Sequence, residues 1–238
     1  NKINLLVTAP INKNNIQSEN FKFPGHTDYL AEELDGESLM FMICDELKIG
    51  LLTDHVALKE INTHVTKQRI EQKFSLINES LKKDFGIQKP KIAVLSIDPH
   101  AGDGGVIGKD DQDILKPVLL EIASKNNLVF GPFSSDSFFG SGQHKKYDAV
   151  LAIYHDQGLI PFKTLSFGTG VNYTAGLNKV RTSPDHGTGY DIAGKGLADS
   201  TSFKNAIFSA IEILKSRKLF EDLNKNPLNL SNSKTGKK

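Results

Sequence analysis

The chain has 238 residues, 38% of them hydrophobic and 24% charged, enough apolar material for one large domain or two smaller ones. Its 29 Lys and Arg against 28 Asp and Glu leave a formal charge of +1, so no overall field draws it to nucleic acid or an anionic membrane, and any anion must be bound locally. No apolar stretch approaches the roughly 18 residues of a membrane span, no signal-peptide pattern is present, and the single cysteine, Cys44, sits in an apolar run as a buried, inert thiol, so a reducing, cytoplasmic compartment is expected.

The first predicted element is a strand over Ile3 to Val7, which begins so soon after Asn1 that a missing N-terminal segment is expected. Gly25-His26-Thr27-Asp28 opens a helix with Thr27 as candidate N-cap, and such a helix start offers free N–H groups to an anion. A strand follows at Gly50-Leu51-Leu52-Thr53. The spacing of Ile70, Phe74, Ile77 and Leu81 then predicts a helix over about 65–85, stopped by Gly86 and Pro90. Ile92 to Ile97 reads as a strand, 110–125 as a helix, Ala149 to Ile153 as a strand, and 202–215 as a helix capped by the Ser/Thr cluster before it. After Leu223 the chain is polar and is expected to fray. Short runs apolar on both faces, alternating with helices, predict an α/β fold with a covered, mostly parallel sheet. Glycine is concentrated in two loops, 102–108 and 168–176, as if the backbone approached a ligand there.

Three histidines each follow a predicted strand: His55, His100 and His155. In an open parallel sheet the carboxyl ends of the strands share one edge, where ligands bind, so residues 45 and 55 positions apart in sequence can meet. Three imidazoles without a competing thiolate suit Zn²⁺ or Co²⁺ and leave coordination positions open. Any one of them is also readable as an ordinary loop histidine; the shared context makes the metal reading the sharper one. Asp156 and Asp136 stand ready to orient an imidazole. His64 and His144 lack the strand-end context and are expected to be surface residues. Lys163, Asn172 and Arg181 recur at nine-residue steps, a pairing of point charge and planar fork that suits phosphate or carboxylate but is weak alone. Neither G-x-G-x-x-G after a strand nor G-x-x-x-x-G-K-[ST] occurs, so a dinucleotide must be held in another way.

Together, Gly25-His26-Thr27, Asp98-Pro99-His100-Ala101-Gly102-Asp103-Gly104-Gly105, Tyr154-His155-Asp156-Gln157-Gly158-Leu159, Gly170-Val171-Asn172 and Arg181-Thr182-Ser183-Pro184-Asp185-His186-Gly187-Thr188 resemble, in order, the signatures of the 4-hydroxythreonine-4-phosphate dehydrogenase family. The resemblance implies a two-domain α/β/α fold like that of isocitrate and isopropylmalate dehydrogenases, here N-terminally incomplete. The implied division is 1–25 with 186–223 on the cofactor side, 26–185 for metal and substrate, and 224–238 as a polar tail. It also implies a homodimer with a shared active site. His55, His100 and His155 would hold a divalent ion (Zn²⁺, Mg²⁺ or Co²⁺), and His26, Thr27, Lys163, Asn172 and Arg181 would contact a small phosphorylated substrate. His186, Gly187 and Asp191 would contact NAD or NADP. Asp98, Asp103 and Ser134-Ser135-Asp136-Ser137 depart from the family's usual Asn, Glu and Pro-Ala-Asp-Thr.

The implied reaction is NAD-dependent oxidation and decarboxylation of 4-phosphooxy-L-threonine to 3-amino-2-oxopropyl phosphate, a step of pyridoxal phosphate synthesis. Asp156, His186 and a metal-bound water are the candidate bases. The alternatives are a paralogue acting on a threonate or erythronate phosphate or a dihydrodiol carboxylate, and an inactive metal-binding homologue.

Overall fold

The computed structural model describes residues 3–19, 21–23 and 25–226, so the polar tail from 227 onward lies outside the described residues. In chain order the elements are β1 (Leu5–Val7), α1 (His26–Glu33), β2 (Gly36–Ile43), β3 (Lys48–Leu51), α2 (Ile61–His64), α3 (Lys67–Lys83), β4 (Lys91–Leu95), α4 (Lys116–Ser124), β5 (Leu128–Phe133), α5 (Ser135–Gly140), β6 (Ala149–Ala152), α6 (His155–Ser166), β7 (Val171–Leu177), β8 (Val180–Pro184) and α7 (Thr201–Asn224). The eight strands form one sheet in the order β1-β8-β7-β2-β3-β6-β4-β5. Four of its seven pairings are parallel, and the antiparallel ones cluster around β2, β7 and β8.

Each face of the sheet buries its own core. On one face α3, α4 and α7 cover Phe41, Ile92, Tyr173 and Val180; on the other, α5 and α6 cover Met42, Ile49, Leu51 and Val150. The predicted stripe of α3 is buried as expected, and Thr66 caps this helix by accepting the Arg69 N–H at 3.3 Å. Gly50 lets α3 settle on β3, because a Cβ there would lie 2.6 Å from the Ile77 side chain. The three layers confirm the α/β/α architecture, and none of the described helices is long and apolar enough to cross a membrane.

Several local expectations need correction. Thr27 lies inside α1, whose N-cap position is Gly25. The Ser/Thr cluster does not cap α7; the Asp199 carboxylate accepts the Thr201 N–H at 2.9 Å, and the helix runs on to Asn224 because Ala206, Ala210, Ile213 and Arg217 keep one side buried. The second glycine-rich loop is mostly β7. His144 is buried, 5% exposed, with its ring 5.6 Å from that of Phe139. Cys44 is half-buried just beyond β2, and burial pushes its thiol pKa up, which keeps it protonated.

Candidate functional site

β3 and β6 are parallel neighbours, so their carboxyl ends coincide. Thr53 locks the exit, donating both its N–H (3.1 Å) and its hydroxyl (2.7 Å) to the Ile153 carbonyl. Two residues beyond each of these, His55 and His155 face one another with ring centroids 5.8 Å apart. His155 Nδ1 lies 2.7 Å from Asp156 Oδ1; with the proton on Nδ1, Nε2 keeps a free lone pair. Burial pulls the pKa of His55 below the ordinary histidine value, and the nearby Lys13 adds to this, so its ring is neutral at pH 7. Asp54 accepts the His55 N–H at 2.9 Å; burial acts to raise its pKa, but that bond and the imidazole hold it below the ordinary carboxylate value.

His100 leaves β4 in an unusual conformation. His100, Ala101, Gly102, Asp103 and Gly104 all have positive φ (53, 53, 77, 43 and 67°), a short left-handed turn that costs each non-glycine residue roughly 1–2 kcal/mol. Asp111 anchors its base, accepting the N–H groups of Ile97 (2.9 Å) and Asp98 (2.8 Å). Gly102 packs so closely that a Cβ would meet the Gly108 carbonyl at 2.3 Å. The turn carries His100 into a cavity of about 360 Å³ shared with Ser134, Asp136, Tyr154 and Gln157. There the Ser134 hydroxyl holds the Asp136 carboxyl below its ordinary pKa, with His100 contributing. Two of the three predicted histidines therefore meet within one chain, and the left-handed turn directs the third to the β5–α5 side. Among the described residues no three His, Cys, Asp or Glu are grouped to hold a metal ion.

The α6 side of β7 and β8 is polar. Asn172 and Thr174 alternate on one side of β7, and Thr174 is the register partner of Arg181 on β8. Arg181 is 5% exposed, yet its bonds go to hydroxyls: Nε and Nη2 to Thr8 (3.2 and 2.7 Å), Nη1 to Thr27 (3.4 Å) and Thr174 (3.2 Å). Desolvation lowers its pKa to about 10, so it remains a cation at pH 7. Burial and this guanidinium together depress the pKa of His26. Asn172 Oδ1 is buried with no hydrogen-bond partner among the described residues. Lys163 lies two turns along α6 from His155, about 12 Å at the helical rise, and donates to the Asp185 carbonyl at 3.0 Å. The structure thus gathers His26, Thr27 and Arg181, sets Asn172 on the same face of the sheet, and places Lys163 against Asp185 at the end of β8.

The segment after β8 begins at Asp185, the partner of Lys163. β8 runs opposite to β3, so it leaves the sheet at the edge away from the histidine pair. His186 there donates to the Gly187 carbonyl at 2.8 Å, and Asp191 sits exposed in a single turn, Tyr190–Ile192. His186, Gly187 and Asp191 are not brought to the imidazoles. Thr8, Lys13, Asp54 and Thr174 belong to the site but were not singled out in the sequence. Polar residues at Asn172 and Thr174 were the available signal, a period-two pattern masked by the glycines on either side.

Fold and site define an open three-layer α/β protein with a buried arginine among threonine hydroxyls on one face of its sheet and paired imidazoles at the carboxyl ends of β3 and β6. The family model described as pyridoxal phosphate biosynthetic protein PdxA matches residues 1–210, and the chain belongs to that family. It is 50% identical over 228 residues to a 4-hydroxythreonine-4-phosphate dehydrogenase of Bacteroides thetaiotaomicron, covering 95% of this chain and 63% of the relative. The crystal structure of 4-hydroxythreonine-4-phosphate dehydrogenase from Klebsiella pneumoniae superposes with a TM-score of 0.76 at 36% identity, over 87% of this chain and 63% of that one. Isocitrate dehydrogenase from Methylococcus capsulatus matches at 13% identity and a TM-score of 0.53, over 91% of this chain and 70% of that one, a likeness of fold alone. The chain thus spans 63% of the length of the Bacteroides relative and of the Klebsiella structure.

Proposed function

We propose that this chain carries out metal- and NAD-dependent oxidation and decarboxylation of 4-phosphooxy-L-threonine to 3-amino-2-oxopropyl phosphate in pyridoxal 5′-phosphate synthesis. The observation that carries the reading is Arg181, a buried guanidinium bonded to threonine hydroxyls, one of them Thr27 on α1, whose neighbour Asp28 acts on His55 of the imidazole pair. A buried cation with no counter-ion among the described residues is costly, and an anionic substrate compensates it. Arg181, Thr27, His26, Asn172 and Lys163 hold the phosphorylated substrate; the unpartnered Asn172 Oδ1 leaves an acceptor for a substrate hydroxyl or ammonium. The imidazoles of His55 and His155, without a thiolate beside them, fit a borderline divalent ion, and the histidine set is completed across the interface of a homodimer. A bound Zn²⁺, Co²⁺ or Mg²⁺ supplies acidification of the substrate hydroxyl and neutralisation of the charge left by CO₂ loss. Asp156 orients His155 through Oδ1 and accepts the hydroxyl proton at Oδ2.

His186, Gly187 and Asp191 serve the adenosine part of NAD. Support for grouping 186–223 with 1–25 comes from α7, which packs on β1. As a biosynthetic enzyme the protein works in the cytoplasm. The test is to load the protein with Zn²⁺ or Co²⁺ and supply NAD with 4-phosphooxy-L-threonine. NADH and CO₂ are expected in equal amounts, and His155→Ala should lose metal and turnover together. Turnover only of a threonate phosphate or a dihydrodiol carboxylate would reassign the substrate. Metal binding without NADH on any of them would overturn the enzymatic reading.

A further inference from the structure

Gln157 stands two residues after His155 in the motif Tyr154-His155-Asp156-Gln157-Gly158, and the proposed chemistry gives it no task. Its amide is nevertheless fully engaged. Oε1 accepts the Ile153 N–H at 2.6 Å, while Nε2 donates one hydrogen to the Ser96 carbonyl at 2.7 Å and the other to Ser135 Oγ at 2.9 Å. These partners lie at the ends of β6 and β4 and at the first residue of α5. Each is a short step from a candidate site residue: Ile153 two before His155, Ser96 four before His100, and Ser135 beside Asp136. We infer that Gln157 is a positioning residue whose single amide sets the relative placement of the three segments carrying His155, His100 and Asp136. The inference rests on the reading of those residues as a functional site.

The chemistry required is one acceptor and two donors on a single planar group, which among the side chains only a carboxamide provides. A glutamate at this position keeps the acceptor for Ile153, and Ser135 can turn its hydroxyl to donate. The Ser96 carbonyl then loses its donor and faces a carboxylate oxygen. Gln157→Glu is therefore a near-isosteric cut of the link to β4, and Ser135→Ala cuts only the link to α5.

The test measures zinc affinity, kcat and KM in wild type, Gln157→Glu and Ser135→Ala, alongside thermal unfolding. With unfolding still cooperative, Gln157→Glu should bind zinc about 10- to 100-fold more weakly, the usual effect of removing a group that orients metal ligands. Its kcat should fall about tenfold or more while KM stays within about threefold, since substrate-holding groups are untouched. Ser135→Ala should shift both in the same direction by less. Wild-type zinc affinity and kcat in a folded Gln157→Glu overturn the inference; if that variant does not fold, unchanged values in Ser135→Ala do so. Should wild type bind no zinc, the metal reading fails instead. Gln157→Glu must then still move the ring NMR signals of His100 and His155 while leaving those of His26 in place, and unmoved signals overturn the inference.

Discussion

Arg181 spreads four hydrogen bonds over three threonines, Thr8 just beyond β1, Thr27 on α1 and Thr174 on β7, and those hydroxyls orient the guanidinium without neutralising it. The buried charge is thus a cost to the fold that the proposed anionic substrate would offset. Replacing Arg181 by Met should raise stability by about 1 kcal/mol or more, because a cation without a counter-ion leaves the interior. The same change should abolish turnover while zinc stays bound; a lower urea midpoint would show that the threonine bonds outweigh the desolvation. Arg181 was singled out in the sequence by the family resemblance; its nine-residue spacing from Lys163 and Asn172 was weak alone and has no structural cause, since one residue is on a helix and two are on strands. The hydroxyl cage was not legible. Thr8 and Thr174 are remote in sequence and meet at Arg181 only because β1 pairs with β8, and β8 with β7.

At the level of elements, α3, β7 and α7 are pinned by a buried polar cluster. Arg217 on α7 donates to Asp84 at 2.6 Å, to the Tyr173 hydroxyl at 2.7 Å and to the Leu177 carbonyl at 3.0 Å; Tyr173 and Ser80 also donate to Asp84, at 2.6 and 2.7 Å. Arg217→Ala leaves a buried carboxylate without its cation and should cost about 3–5 kcal/mol in chemical denaturation. A loss under about 1 kcal/mol would show the pair to be water-screened. Sequence periodicity disclosed α3, β4 and β6 because each is apolar where it packs. It did not disclose β7 and β8, whose site-facing positions are polar, nor α6, which carries Gly158 and Pro161 within its length. The elements that build the arginine site were hidden by the polar residues that make it one. The left-handed turn at His100 was likewise unreadable, since three of its positive-φ residues are not glycine.

At the scale of the whole molecule, the histidine edge was legible from strand order along the chain, and the outcome for two of the three imidazoles follows from β3 lying beside β6. The place of His100 depends on a backbone conformation rather than on a pattern of residue types. Hydrogen bonding across the sheet is continuous from β1 to β5, passing beneath both the arginine site and the imidazole pair. Such a ladder behaves as a plate and not as a hinge: the arginine site and the imidazoles cannot move apart without breaking strand pairing. Any closing motion over a bound molecule must be carried by chain outside the ladder, such as the exposed stretch 186–200. Hydrogen exchange should therefore show the amides of β2 and β7 opening last and together, with 186–200 exchanging early and slowing when NAD is added. Early exchange in β7 alone would mean that the plate itself bends, and gating would then belong to the sheet.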